Sequence, residues 1–478
     1  MIDIPESRDL VDGAWSACAE DLGFDLEDPA SGEAAGRARG TSPDRVAAAL
    51  AAAERVAAPW AATAPERRAD LLDAVADGLD RRIPEIVALE SFATGVPIRQ
   101  TTPLGSIVGG SFRLAAAQLR EGGLRTTVIR EDGRAVEVHR LPRGPALCLV
   151  PWNAPAPMAA HKAASALAAG CPVILKVSEY APYGSQVLAE VLHEVLPPGV
   201  FQFVQGGPRT GGHLVGDLRV RAVSFTGGPV AGRAVAAACV TGFRPAQLEL
   251  GGNNPLLVLP DAPVEVAARA AADLLTTLNG QWCRALGRLL VPRDRLDELV
   301  AATGERLTAL RAGDPLREGT DFGPLVHSTH VRRVREAVAA AGGRAVPYGV
   351  MPETGNFLAP TLITGTDLAE EVFGPVAAVV PYDTVEEAVT LANATPYGLE
   401  GYVVGADEER ALAVARRVRA GEVKVNGSSV MSLHLFTPRP AWGLSGLGEE
   451  GTRETLRFFT NARVVGVEGG FSLHGRQR

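Results

Sequence analysis

Lysine is nearly missing from this chain. Of its 47 basic residues, only Lys162, Lys176 and Lys424 are lysine. A compact ammonium differs from arginine's planar fork, so each surviving lysine marks a position the fork does not serve. Cysteine is scarce as well. Cys18, Cys148, Cys171, Cys239 and Cys283 are odd in number, scattered and without CxxC spacing. That argues against a disulfide framework and a zinc site, and for a reducing cytoplasm. No run of about 18 apolar residues occurs, so no segment reads as a membrane span. The start, MIDIPESRDLVDG, lacks the basic stretch and apolar run of a secretory signal. Strong positive charge is absent too. A net charge of −8 argues against a nucleic-acid or anionic-membrane partner.

What is present is an ordinary enzyme-like balance, 46% hydrophobic and 21% charged. At 478 residues the chain exceeds one core, and two large domains are expected. The first 120 residues read as mostly helical, from SPDRVAAALAAAERVAAPW and APERRADLLDAVADGLDRRIPEIVALES. Two β-rich runs then flank Asp132-Gly133, a hairpin signal. From Ala146, strands such as PVILKV alternate with helices such as GSQVLAEVLHEVL. This predicts an α/β fold with parallel βαβ units. A second α/β stretch follows Gly251-Gly252, and the tail RFFTNARVVGVE reads as one more β-rich run.

Several short stretches carry chemistry, each with a plainer alternative. Cys283 lies in LNGQWCRALGRLLV, where residues 279–287 read as a turn. It is either a nucleophile in a loop at a domain junction or a small buried residue. In LVPWNAPAPMAAHKAA, Asn153 follows a strand, where open α/β sheets bind ligands. Its amide either steadies an oxyanion or satisfies its own turn. ILKVSE sets Lys176 and Glu179 at a strand end, as a hold for ribose hydroxyls or as a surface ion pair. In VSFTGGPVAGRAV, Thr226, Gly227 and Gly228 precede Pro229. There the free N–H groups of a helix start suit a phosphate, although many α/β turns look alike. QLELGG ends a strand-like run at Glu249, a carboxylate able to activate water. GLGEEG at 446–451 matches GxGxxG, but no strand precedes it and it is rejected as a nucleotide fingerprint. His327 and His330 have no evident third ligand, so no metal site is read.

The order of the motifs PWN, LKVSE, FTGG, ELGG, GQWC, EEVFGPV and SGLG resembles the aldehyde dehydrogenase superfamily over nearly the whole chain. The resemblance implies a Rossmann-like NAD-binding domain (1–124 and 142–250), an α/β catalytic domain (251–436) and oligomerisation strands (125–141 and 455–470). It implies Cys283 as nucleophile, Glu249 as general base, and Asn153 with the Cys283 backbone N–H as oxyanion donors. It implies a cofactor site of Trp152, Lys176, Glu179, Thr226, Gly227, Gly228, Leu250, Gly251, Glu371 and Phe373. There Lys176 and Glu179 hold the adenosine ribose and Glu371 the nicotinamide ribose. Lys162 and Glu450 would serve proton or water passage. Ala154, Pro157, Met158, His161, Trp282, Arg284 and Met431 would line a substrate tunnel, roomier than in relatives with aromatics after PWN. Arg284 either meets a polar group on the aldehyde or points into the protein.

The chain departs from the family pattern at Gly228, usually serine, at Asn253, usually lysine, and at Gly443, where a lysine is lost. The resemblance implies NAD as cofactor, with NADP possible. Glu179 favours NAD, since a carboxylate beside the ribose repels a 2′-phosphate. Small-molecule aldehydes, no nucleic acid, no membrane and a homodimer or homotetramer are the expected partners, in the cytoplasm. Two rivals remain. One is a CoA-acylating or thioester-reducing dehydrogenase, against which the retained Glu249 speaks. The other is an inactive dehydrogenase-like scaffold.

Overall fold

The computed structural model describes residues 2–468. Its first residues correct the helical expectation. Four strands come before any helix: β1 (Arg8–Val11), β2 (Ala14–Ala17), β3 (Glu20–Glu27) and β4 (Ala34–Gly40). β1 and β2 turn at Asp12-Gly13, both left-handed (φ 53° and 75°), the Asp-Gly signature of a tight hairpin. β3 alternates exposed and covered residues, a strand period that its many acidic residues obscured. Three helices follow as expected: α1 (Pro43–Ala62), α2 (Pro65–Thr94) and α3 (Ile98–Arg120). Ser42 caps α1, its hydroxyl accepting from Arg45 N at 3.4 Å. The hairpin about Asp132-Gly133 is present as β5 (Arg125–Ile129) and β6 (Ala135–Pro142).

Strands and helices then alternate: β7 (Ala146–Leu149), α4 (Pro155–Ala169), β8 (Val173–Lys176), α5 (Tyr183–Val195), β9 (Phe201–Val204), α6 (Pro208–Gly216), β10 (Ala222–Thr226), α7 (Pro229–Val240) and β11 (Ala246–Glu249). The glycine-rich α6 was not foreseen, because glycine weakens the helical signal. A second set comprises β12 (Asn254–Val258), α8 (Val264–Thr276), β13 (Leu286–Pro292), α9 (Leu296–Thr308), α10 (Ser328–Ala341), β14 (Arg344–Pro347), β15 (Thr361–Thr364), β16 (Val376–Tyr382), α11 (Val385–Asn393), β17 (Glu400–Val404), α12 (Glu408–Ala415) and β18 (Glu422–Val425). The chain closes with β19 (Arg439–Pro440), β20 (Gly446–Leu447), β21 (Glu449–Glu450), α13 (Thr452–Phe458) and β22 (Thr460–Gly466). The tail is thus not β-rich from Arg457: residues 455–458 end a helix, and 469–470 lie outside the described residues.

The first sheet runs β2-β1-β9-β8-β7-β10-β11-β20, and the second β14-β15-β16-β13-β12-β17-β18. In the first, the five strands from β9 to β11 are parallel. In the second, only β14 runs against its neighbour. The fold is α/β with Rossmann-like parallel sheets, as expected. The central strands are buried on both faces, β7 and β8 without exception, as parallel sheets with helical covers must be. A third sheet, β22-β6-β5, lies apart with an exposed edge strand. Among the described residues no helix is long and apolar enough to cross a membrane.

Candidate active site

The carboxyl ends of β7, β8, β10 and β11 lie side by side, with Leu149 opposite Lys176 and Thr226 opposite Glu249. This is the edge at which open α/β sheets receive ligands. The segment that brings Cys283 to it is strained. Leu278 and Asn279 are left-handed (φ 50° and 58°), followed by Gly280 at 73°. Such a conformation persists only where the surroundings over-determine it. Asn279 does so, its Nδ2 donating to Gly95 O and Pro324 O at 2.8 and 2.9 Å and its Oδ1 accepting from Gly323 N at 2.9 Å. Gly280 has no room for a side chain, since a Cβ there would sit 2.4 Å from Pro375 N.

Cys283 is half-buried, whereas the other four cysteines are buried. Its Sγ lies 3.7 Å from Glu249 Oε1. Burial and the neighbouring Glu249 charge push the thiol well above its ordinary pKa, with Arg284 opposing. Asn153 Nδ2 donates to Gln281 O at 2.9 Å, so its amide reaches the cysteine loop. Glu249 is buried, and its Oε2 has no hydrogen-bond partner among the described residues. Burial raises its pKa above the usual carboxylate range, and Glu450 raises it further.

The residues expected around the cofactor gather on the same edge. Lys176 Nζ and Glu179 Oε2 are 3.4 Å apart, and burial lowers the lysine's pKa against the pull of Glu179. Thr226 Oγ1 is buried without a partner among the described residues. Gly227 N donates to Glu249 O at 3.1 Å. Gly228 is the N-cap of α7, with no side-chain cap. A Cβ on Gly228 would meet no described atom within 4 Å. Leu250 packs on Gly232, where a Cβ would lie 2.6 Å from the leucine. Gly251 leaves the space for Glu371, whose Oε2 would lie 1.8 Å from a Cβ. Glu371 Oε1 accepts from Gly252 N at 3.0 Å, and burial pushes that carboxyl up to about 7. Trp152 and Phe373 meet edge to face at 5.5 Å.

His327 and His330 serve packing here. His327 stacks on Tyr180 at 4.3 Å, and His330 Nε2 bonds Phe373 O at 2.7 Å. Among the described residues no group of three or more His, Cys, Asp or Glu could hold a metal ion.

Lys162 Nζ meets Glu450 Oε1 at 2.6 Å and donates to Ser224 Oγ at 2.8 Å. Although burial opposes it, Lys162 holds Glu450 well below the ordinary carboxylate range. The residues expected to line a tunnel divide. Ala154 and Pro157 line a small pocket with Asn153, walled by Leu104 and Val108. Met158 packs against the core of the first sheet. His161 bonds Thr455 Oγ1 at 3.1 Å, and burial drives its pKa down to about 3. Trp282 is buried in the core around α8. Met431 is exposed on the loop after β18. The Arg284 guanidinium is enclosed by the carboxylates of Glu400, Glu422 and Glu249. Of its two readings the inward one describes this geometry, because the side chain is only 7% exposed and faces three carboxylates.

Two departures from the family pattern have local reasons. Gly443 is left-handed (φ 60°), and a Cβ there would lie 2.2 Å from Pro396 O, so no lysine fits this turn. Asn253 is buried, and its Nδ2 donates to Leu368 O at 2.6 Å. Sequence reasoning missed Glu90, whose carboxyl lies under the start of α4 and lines the Asn153 cavity. It also missed Glu400 and Glu422. Glu400 opens the otherwise apolar strand β17, which was the available signal there, whereas β18, EVKV, alternates charge and valine and offered none for Glu422.

A model of the aldehyde dehydrogenase family matches residues 15–465. A betaine aldehyde dehydrogenase of Cereibacter sphaeroides is 37% identical over 450 residues, covering 92% of each chain. A vanillin dehydrogenase of Pseudomonas fluorescens is 35% identical over 494 residues, covering 98% of this chain and 99% of its own. The crystal structure of an aldehyde dehydrogenase of Mycobacterium tuberculosis complexed with NAD+ matches with a TM-score of 0.91 and 31% identity, covering 98% of this chain and 99% of that one.

Proposed function

The chain belongs to the aldehyde dehydrogenase family, and from that premise we propose how its residues divide the NAD-dependent oxidation of an aldehyde to a carboxylic acid. The observation that carries the assignment is the approach of Cys283 Sγ to Glu249 Oε1, with the Asn153 amide bonded to the cysteine loop at Gln281 O. Cys283 is the nucleophile. Burial and the Glu249 charge favour its thiol form, and Glu249 is the adjacent acceptor for that proton, which it passes on before it takes another from water. The sulfur bonds the aldehyde carbon, and the carbonyl oxygen becomes an oxyanion steadied by Asn153 Nδ2 and the Cys283 N–H. Bound NAD supplies the acceptor for the hydride that the carbon loses. The resulting thioester is opened by water. Glu249 takes a proton from that water, its oxygen bonds the acyl carbon, the carbon–sulfur bond breaks, and the thiol is restored. Lys162 and Glu450 lie behind Glu249 as a route for the proton.

The residues fit NAD. The unpartnered Thr226 hydroxyl and the open N-terminus of α7 suit a pyrophosphate. Lys176 and Glu179 suit the adenosine ribose, and Glu371, Trp152 and Phe373 the nicotinamide end. Glu179 disfavours the 2′-phosphate of NADP. The apolar walls beside Ala154 and Pro157 suit an aldehyde with an apolar body, and Arg284 is not available to a substrate carboxylate. The hairpin β5–β6 with β22 is read as the surface that joins subunits into a homodimer or homotetramer, in the cytoplasm.

The test is NADH formation by the purified chain over hexanal, benzaldehyde, vanillin and betaine aldehyde, with NAD or NADP and with or without CoA. Cys283→Ala should abolish turnover, and Glu179→Ala should narrow the preference for NAD. Product that forms only with CoA would replace hydrolysis by acyl transfer. Turnover that survives Cys283→Ala would remove the nucleophile.

A further inference from the structure

Glu249 lies between two buried charged clusters. On one side stands Glu450 of β21, paired with Lys162 and with Arg439 Nη2 at 3.6 Å. On the other stands Arg284, the residue after the nucleophile. Arg284 Nη2 is 3.7 Å from Glu249 Oε1, the same oxygen that faces Cys283 Sγ. Arg284 Nη1 pairs with Glu400, and Glu422 Oε2 is 3.6 Å away. The carboxylates that hold the guanidinium are themselves held from behind. Lys424 Nζ reaches Glu400 Oε1 at 3.1 Å. The Arg284 carbonyl accepts from Tyr402 Oη at 2.8 Å. Lys424 Nζ donates to Ser429 O at 2.9 Å, and Glu422 Oε1 accepts from Leu433 N at 2.6 Å. These bonds tie the cluster to the loop that carries Met431.

Buried charges are retained only where paired, because each would otherwise be taken from water without compensation. Arg284 and Lys424 are the two cations that face three carboxylates, Glu400, Glu422 and Glu249. Glu249 meets Arg284 through one oxygen, while the other has no partner among the described residues. We propose that Arg284 is a positioning residue that holds Glu249 as an anion beside Cys283, ready to draw a proton from the water that opens the thioester. This rests on the reading of Glu249 as the base. The groups facing Glu249 are Cys283 and Arg284 from the cysteine loop, Glu450 from β21 and Arg439 from β19. Lys162 and His161 of α4 stand behind Glu450, and Glu400, Glu422 and Lys424 behind Arg284. Of those facing it, Glu450 works against ionisation of Glu249, whereas Arg284 and Arg439 favour it.

The experiment uses p-nitrophenyl acetate, which acylates a reactive thiol and needs neither NAD nor a known aldehyde. Nitrophenolate release by the full chain is followed from about pH 5.5 to about pH 9, across the ionisation of a carboxyl raised toward neutrality. The initial burst reads acylation, and the later steady rate reads breakdown of the acyl-enzyme. Arg284→Met should keep the burst and slow the steady rate about tenfold, with the acidic limb moved up by about one pH unit. Arg284→Lys should recover most of the rate and return the limb. Glu422→Gln keeps the acceptor for Leu433 N but removes a counter-charge from Arg284, so its limb should move to lower pH. This opposite shift keeps the proposal testable even if Arg284→Met fails to fold. An unmoved limb in both Arg284→Met and Glu422→Gln would overturn the proposal, as would burst and steady rate falling together with no shift. A Glu249→Gln enzyme with normal acyl-enzyme breakdown would instead overturn the base reading beneath it.

Discussion

Glu90 is buried under the start of α4, where both its oxygens share the N–H of Ala156, at 3.3 and 3.4 Å. Gly184 leaves it room, since a Cβ there would lie 2.4 Å from Oε1. Burial pushes this carboxyl up to about 8 from 4.5, with the Ala156 N–H opposing. The folded chain therefore holds a proton that the unfolded chain releases across that window. Stability from Glu90 is present below the unfolded value and is lost as pH rises to about 8. Between pH 5 and pH 9, Glu90→Gln should lose less melting temperature than the parent chain, by a few degrees (roughly the effect of one to two kcal/mol in a large chain). Parallel thermal melts at both pH values check this. Equal losses would mean that Glu90 is already ionised at pH 5. The same residue explains part of what a sequence reader can and cannot see. Cys283, Glu249 and Asn153 stand in short motifs whose neighbours are local. Glu90 acts on a helix 66 positions away, and Arg284 finds Glu400 at a separation of 116. No local pattern signals such partners.

At the scale of elements, alternation was legible where strands are apolar and helices alanine-rich, as from β7 to β11. It failed for β1 and β2, which are short, for β3, which is acidic, for β4, which is rich in glycine and arginine, and for α6, which is rich in glycine. The turn before Cys283 was legible as a turn, but its strain was not. Leu278 and Asn279 are not residues whose types demand a left-handed backbone, and only tertiary bonds impose it. The start of α7 offers an element-scale test. Gly228 lacks a side-chain cap although its φ of −78° and ψ of 157° suit a capping serine. A serine hydroxyl there would cap the helix and point into open space at the expected pyrophosphate position. Gly228→Ser should raise stability by a few tenths of a kcal/mol and lower KM for NAD about threefold, the effect of one modest hydrogen bond. Initial rates against NAD concentration and a thermal melt check both. A raised KM with a stabilised fold would place the pyrophosphate elsewhere.

At the scale of the molecule, the chain's last strand returns to its middle. β22 pairs with β6 over seven residues, from Thr460 opposite Pro142 to Gly466 opposite Val136. That pairing joins segments more than 300 positions apart, and only the resemblance to a family anticipated it. The sheet it completes has apolar residues in water: Val128 is 57% exposed, Ile129 64%, Val464 66% and Val467 70%. An exposed apolar edge strand invites pairing with another chain, and closed symmetric oligomers are the usual way of covering one. Val464→Asp puts a charge on that surface without touching a core, so the folded protomer should change by less than about 0.5 kcal/mol. Sedimentation should show smaller assemblies for the variant than for the parent chain at the same concentration, with unchanged helical content. Burying a carboxylate without a partner is what an intact interface would have to bear, so dissociation is the cheaper outcome. A variant that keeps the parent's mass would move the subunit contact away from this sheet and leave its exposed valines unexplained by assembly.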